Sequence, residues 1–321
     1  MLVGQDESIL SHRYWNCKSS ITTCFVSLLS VLFTQFALSL LPTFFPASPF
    51  LCLLPLAVVL LVIGVGLGRL CKRIAGVRAS ALAYVVFTIF FIWIIYLSVV
   101  RQVISSFVDI VFNIEIIIMI IGLHRMTFMD PGFVTTHHLP SIDLSVQDSL
   151  TEVEAQGEGF EVWRRVRYCK HCQKHVAGFD HHCPAFGNCI GQKNHLFFMV
   201  LLGLFIICEA SFVACTSPFH RLQTAAEFPA LNEDVRVATA SRNLVTGTTL
   251  FCLIQILWQV VFLMWHVYCA CLNIKTDEWI NWKKYPEFHS KAIHDTGEVQ
   301  FYNLYDKGVL RNLKEFITAK G

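Results

Sequence analysis

Six runs of this chain are long and apolar enough to cross a lipid bilayer: roughly 21 to 45, 49 to 68, 80 to 100, 103 to 123, 196 to 216 and 246 to 270. About 18 or more apolar residues, wound as a helix, span a hydrocarbon core of roughly 30 Å. With 55% hydrophobic and only 15% charged residues, the 321-residue chain is too apolar for an ordinary soluble domain. The fold class expected is an all-α polytopic membrane protein with six transmembrane helices. The second run is interrupted by Gly64, Gly66 and Gly68, and the fourth carries Asp109, Asn113 and Glu115, so these two give the weakest signal.

Positive charge orients such a bundle, because short cytoplasmic loops carry the excess Lys and Arg. Arg69, Lys72, Arg73 and Arg78 follow the second span, whereas Pro42 to Pro49 on the opposite side carries no charge. This predicts a cytosolic N-terminus over 1–20, four spans over 21–123 and a cytosolic segment over 124–195. Two spans with a lumenal loop follow over 196–270, then a cytosolic tail over 271–321. The first span lacks a convincing cleavage site and reads as retained rather than as a signal peptide. Acidic residues Asp143, Asp148, Glu152, Glu154 and Glu158 make 133 to 160 read as a linker. Asp109, Glu115, Glu209 and His266 lie within spans, a costly placement; with Gln255 and Gln259 they read as hydrogen-bonding seam residues rather than as a site.

Between the fourth and fifth spans, four cysteines and four histidines crowd into 21 positions: Cys169, His171, Cys172, His175, His181, His182, Cys183 and Cys189. Thiolate and imidazole are the preferred ligands of tetrahedral zinc, and Cys-x2-Cys followed by further His and Cys is a zinc-finger spacing. Eight candidates exceed the four that one closed site needs, which leaves several for other chemistry. The 13 cysteines of the chain read as metal and thiol chemistry rather than as disulfides, because the cluster falls on the reducing side. The net charge of +2 gives no sign of a nucleic-acid partner, and none is expected.

The run Asp180-His181-His182-Cys183 resembles the DHHC protein S-acyltransferases, membrane enzymes that transfer fatty acyl groups to protein cysteines. Cys183-Pro184, Gly187-Asn188-Cys189-Ile190-Gly191 and Asn194-His195 with Phe198 extend the likeness, as does Asp130-Pro131-Gly132 upstream. Lys275-Thr276-Asp277-Glu278 partly matches the family's Thr-Thr-x-Glu, and Tyr305, Asp306, Gly308 and Asn312 its C-terminal motif. The resemblance implies one structural zinc held by Cys169, Cys172, His182 and Cys189, within a small cysteine-rich domain. The family's other zinc site is not expected, because Tyr168 and His175 stand where two of its ligands would be and the upstream Cys-x2-Cys is missing.

The resemblance further implies Cys183 as nucleophile, His181 as its base and Asp180 as the acid that orients the ring; the residues alone leave His171 and His175 open as bases. A neighbouring imidazolium can bring a cysteine from a pKa of about 8.5 down to roughly 3.5–7.5. Long-chain acyl-CoA would be the co-substrate, cysteines of cytosolic or membrane-associated proteins the acceptors, and the endomembrane system or plasma membrane the location. Phe197, Phe198, Leu201 and Leu202 are candidates to line an acyl cavity or simply to form span surface. Arg164, Arg165, Arg167, Lys170, Lys174 and Lys193 would hold CoA or form a solvated positive face. Ala185 departs from the Trp that usually follows Cys-Pro, which with the missing finger makes an inactive zinc-bound scaffold the alternative. In the tail, Trp279 and Trp282 suit an interfacial belt, while Val309, Leu310, Leu313, Phe316 and Ile317 form a helical apolar stripe. Tyr305 and Asn312 are expected to hold the tail in place.

Overall fold

A computed structural model describes residues 3–45, 50–134, 165–225, 233–290 and 300–318. The acidic residues 143–158 and Arg164 lie outside the described residues. Eight α-helices are described: α1 (Val3–Phe44), α2 (Phe50–Ala75), α3 (Ala81–Ser98), α4 (Ser106–Phe128), α5 (His195–Ala225), α6 (Glu233–Cys271), α7 (Thr276–Asn281) and α8 (Val309–Thr318). Within them lie six stretches long and apolar enough to cross a membrane: Ser20–Phe44, Cys52–Ile74, Ala81–Ser98, Ser106–Phe128, His195–His220 and Val237–Cys271. The weakly signalled second run is helical through its glycines, and the fourth through its acids.

Several boundaries differ from the hydropathy reading. Thr127 hydroxyl returns its proton to the Leu123 carbonyl at 2.9 Å and carries α4 on past residue 123. Thr246, Thr248 and Thr249 do the same to Arg242, Leu244 and Val245 at 2.7–2.9 Å. Bonding back one turn hides the hydroxyls inside the helix; the sixth span also begins earlier than the run of apolar letters, at Val237, and in the added part Asn243 donates to Thr43 Oγ1 of α1 at 2.8 Å.

The chain divides into two compact units, Met1–Ile120 with Leu204–Gln259, and Ile121–Gly203 with Val260–Gly321. In the first, polar span residues find one another. Asp109 accepts from Tyr96 at 3.2 Å, Arg101 at 3.0 Å and Asn113 at 2.9 Å, and Gln259 donates to Glu209 at 3.1 Å. Gly247 touches the α1 backbone at Leu38 and Ser39, where a Cβ would come within 2.7 Å of Ser39 N.

The second unit holds the small β structure. Strands β1 (Phe133–Val134), β2 (Val166–Cys169) and β3 (Lys174–Ala177) form an antiparallel sheet in the order β1-β3-β2, and β4 (His181–Cys183) pairs with β5 (Asn188–Ile190). The expected linker therefore begins as a strand, with Phe133 opposite Val176. Asp130 secures that entry by accepting from the backbone N–H of Gly132 and Phe133 at 2.9 and 2.8 Å. Asn188 donates to the α4-end carbonyls of Met126 and Met129 at 2.9 and 2.7 Å, which meets part of the acceptor deficit at a helix C-terminus. Gly191 sits so close to Pro131 O and Val176 that a Cβ would collide with both.

The tail returns onto the end of α6. Asn273, at φ 48°, turns the chain in the left-handed conformation that Asn tolerates. Its amide donates to Tyr305 O at 3.0 Å, while Asn312 donates to Cys271 O at 2.8 Å and is itself buried. The expected structural role of Tyr305 and Asn312 is what their contacts amount to.

Candidate functional site

Cys169 closes β2, Cys172 lies in the following turn, and His182 and Cys189 are directly opposed across the β4–β5 pair. Their ligand atoms all lie within 4.8 Å of one another. Sγ of Cys172 is 3.3 Å from Sγ of Cys189 and 3.5 Å from Nδ1 of His182, and Cys189 Sγ is 3.6 Å from the same nitrogen. Zinc bonds of about 2.3 Å to sulfur and about 2.0–2.1 Å to nitrogen require tetrahedral edges of roughly 3.5–3.8 Å, so the donor set fits. Burial, then the bonds with Cys172 and Cys169, push the Cys189 thiol far up, and a divalent cation is what lets such sulfurs ionise together. Burial, then His171 stacked at 4.8 Å, pushes His182 down and keeps its ring neutral, as a ligand must be.

The same short hairpin turns Asp180, His181 and Cys183 into a different assembly. His181 Nδ1 lies 2.7 Å from Asp180 Oδ2. Burial opposes a charged ring, but the hydrogen bonds of Asp180 and then Cys183 outweigh it and raise His181 to about 9. His175 instead faces Tyr168 across β2 and β3, with ring centres 5.1 Å apart, and His171 stacks on His182. Of the three candidate bases, His181 is the one whose charge Cys183 acts on. Phe198 meets its ring edge-on at 5.5 Å and Phe262 at 6.4 Å, and Phe186 packs on Phe198 at 5.6 Å. A thiol, a base and a carboxylate behind an apolar wall can carry out nucleophilic acyl transfer.

Asp180 is fully buried and is held from several directions. Its side chain accepts from Thr276 N at 2.9 Å and its carbonyl from Asp277 N at 3.0 Å, both at the start of α7. His195 Nε2 and His266 Nδ1 approach its oxygens at 3.9 and 3.8 Å and lie 3.3 Å from each other. Burial alone would favour protonation, yet His195, His181 and His266 hold the carboxyl well below the usual range.

One comparison decides what this assembly belongs to: residues 160–283 match the family model described as DHHC palmitoyltransferase. The chain carries a DHHC palmitoyltransferase domain. It is 28% identical over 200 residues to Palmitoyltransferase Hip14 of Drosophila melanogaster, covering 59% of this chain and 30% of that protein. To Palmitoyltransferase ZDHHC17 of Mus musculus it is 33% identical over 157 residues, 47% of this chain and 24% of the relative. A plant relative, Probable protein S-acyltransferase 1 of Arabidopsis thaliana, is 31% identical over 158 residues, 49% of this chain and 40% of its own length. The chain thus spans about a quarter to a third of the first two relatives.

Within the DHHC domain, the residues that sequence reasoning missed are those supplied by chain far from the cluster. His266 was expected in a seam of hydrogen-bonding span residues, and its Nδ1 does lie 3.3 Å from His195 Nε2; its ring also lies against Asp180, His181 and Phe262. The seam reading placed His266 inside the bundle but could not say toward what it pointed. Arg165 and Arg167 were expected to hold CoA or to form a solvated face; both are largely enclosed in ion pairs rather than solvated. Arg165 Nε donates to Glu278 at 2.7 Å beneath the Tyr305 ring, and Arg167 pairs with Glu287 over Tyr285. Among the suggested cavity residues, Phe198, Leu201 and Leu202 are buried, whereas Phe197 lies beneath Arg125 with 5.3 Å between guanidinium and ring centre.

Proposed function

We propose that the chain is a protein S-acyltransferase that carries a long-chain acyl group from acyl-CoA to cysteines of substrate proteins through an acyl-Cys183 intermediate. The observation that carries this reading is the Asp180–His181–Cys183 assembly, with the carboxylate 2.7 Å behind the base and base and thiol on the same short strand, Cys183 helping to raise His181. His181 takes the Cys183 proton as Sγ attacks the thioester carbon. The tetrahedral adduct collapses, the carbon–sulfur bond to CoA breaks, and the departing CoA thiolate receives that proton. In the second half, His181 takes the proton of an acceptor cysteine, whose sulfur attacks the acyl-Cys183 thioester, and Cys183 leaves and is reprotonated. One thioester is exchanged for another in each half, so no energy source beyond acyl-CoA is needed. Asp180 holds the His181 ring in one orientation and stabilises its charged form, a contribution of the kind worth about 10²–10⁴ in rate.

Cys169, Cys172, His182 and Cys189 would hold one zinc ion. With four protein ligands it has no open position and supplies local cohesion rather than reactivity. The hairpin that bears His182 and Cys189 also bears His181 and Cys183, so cohesion there fixes the reacting groups. The positive charges of Arg69, Lys72, Arg73 and Arg78 support a cytosolic reaction face on an endomembrane or plasma-membrane protein.

The test is covalent loading. Purified full chain in detergent is incubated with labelled long-chain acyl-CoA, and hydroxylamine-sensitive label is scored on the wild type and on Cys183→Ser. Label on the wild type alone is the expected result. No label on zinc-replete, folded wild type would favour the scaffold reading.

A further inference from the structure

The second unit encloses a cavity of about 750 Å³ that the acyl-transfer chemistry leaves unused. That volume lies within the ~300–1,000 Å³ typical of ligand sites. Neither Cys183 nor His181 lines it; its walls come from the end of α4, the start of α5, the end of α6 and helix α8. Because these are the ends of membrane-length helices, the cavity opens at the level where bilayer headgroups lie.

Its lining is strongly cationic. Arg125, Arg165, Lys193, Lys275 and Lys307 face it, against the single acid Glu315. Three of the cations have partners: Arg165 with Glu278, Lys193 with Asp130 at 3.1 Å, and Lys307 with Glu315 at 3.2 Å. For Arg125 and Lys275, no carboxylate lies at salt-bridge distance among the described residues. Each is instead backed by an aromatic ring of the cavity wall, Arg125 by Phe197 at 5.3 Å and Lys275 by Phe316 at 5.6 Å. Rings hold a cation in place without neutralising it.

Lys275 is the sharper case, because its ammonium lies beside His195 Nδ1 at 3.5 Å on a half-buried side chain. Burial, then the nearby Arg165 guanidinium, push it down to about 8. An anion in the cavity would relieve that cost. Beside the cations lie Phe197, Ile274 and Phe316, apolar walls suited to the carbon part of an amphiphile and unsuited to a bare inorganic ion.

We propose that this cavity binds a phosphate-bearing anionic headgroup, that of a membrane phospholipid, with Arg125 and Lys275 on the phosphate and Phe197, Ile274 and Phe316 against its glycerol and first methylenes. The site is independent of the acyl-transfer reading, since binding is read without turnover.

The test uses the full chain in detergent with dioctanoyl phosphatidic acid, dioctanoyl phosphatidylcholine, CoA and inorganic phosphate as separate probes. Retention is followed by native mass spectrometry and thermal shift. Phosphatidic acid is expected to bind and stabilise in preference to phosphatidylcholine. Loss of one charge-assisted contact in Arg125→Gln should weaken it roughly tenfold. Glu315→Gln, which frees Lys307, should tighten it, a direction that general damage to the fold does not produce. Equal binding of phosphatidylcholine would overturn the anionic assignment, and CoA or inorganic phosphate displacing phosphatidic acid at equal affinity would overturn the lipid assignment. Unchanged affinity in both variants would remove the site from this cavity.

Discussion

Replacing Arg165 by Met should destabilise the domain more than its distance from the thiol suggests. Arg165 and Glu278 are almost fully enclosed, their side chains 12% and 2% exposed. The guanidinium donates twice to Glu278 and twice to Asn273, at its side chain and its carbonyl. In Arg165→Met, Glu278 keeps Lys275 N at 2.8 Å as its remaining donor in this network, and an uncompensated buried carboxylate costs about 3–5 kcal/mol. In Arg165→Met/Glu278→Leu the charge is gone. What remains is an unpaired backbone N–H and the lost Asn273 contacts, each worth about 1–3 kcal/mol at most. The double variant should therefore be more stable than Arg165→Met alone. Melting of the four proteins of this cycle in detergent, with zinc content checked, measures the order. Strictly additive losses would refute the argument, because they would mean that Glu278 feels no penalty when its cation is removed.

Three further outcomes are expected. Cys169→Ser should lose zinc and melt earlier, whereas Cys183→Ser should keep zinc and melt as the wild type while failing to load; metal analysis of both separates ligand from nucleophile. Asp180→Asn keeps an acceptor for Thr276 N but removes the charge behind His181, and acyl loading should fall roughly 10²–10⁴-fold. The same variant tests linkage. His181 is raised to about 9 from 6.5, so the stability it contributes is full below pH 6.5 and is lost as pH rises toward 9, and Asp180→Asn should flatten that slope in melting curves. Lys275 is shifted the other way, to about 8 from 10.5, so in lipid-free protein Lys275→Met should raise the melting temperature at neutral pH. That advantage should close as pH climbs from 8 to 10.5, and melting at pH 7 and pH 10.5 checks it.

Hydropathy and ligand spacing made much of this architecture legible. The six runs are six helices because apolar length is a local property of the sequence. The Cys-x2-Cys pair and the His182–Cys189 pair could be read because each is bound into one short turn or one hairpin. The errors arose where a residue's role depends on a distant partner. Asn243 is polar as a letter but donates to Thr43 of α1 at 2.8 Å, and the sixth span was cut short at its start. Arg165 looked like one more member of a basic run; only the return of the chain at Asn273 and Glu278 makes it a buried cation. His266 carried a signal of burial but not of destination, since its partner Asp180 lies 86 residues earlier in the chain.

These long-range partners converge on one carboxylate. Asp180 receives two N–H groups from the start of α7, and that start is set by Glu278 accepting from Lys275 N. Glu278 is held by Arg165, Arg165 is bonded to Asn273, and Asn273 is bonded to Tyr305 O. A change at Asn273 or Tyr305 therefore reaches Asp180 through four or five hydrogen bonds without touching the hairpin that carries Cys183. A zinc ion held by Cys169, Cys172, His182 and Cys189 would act on the other side of Asp180, through β4, the strand that bears both His181 and His182. The proposed reacting pair would thus have two supports, one of metal and sulfur and one of a buried ion pair and its tail. Loss of the tail support should misplace Asp180 while zinc content stays whole, and loss of the metal should leave the α7 contacts with no hairpin to hold.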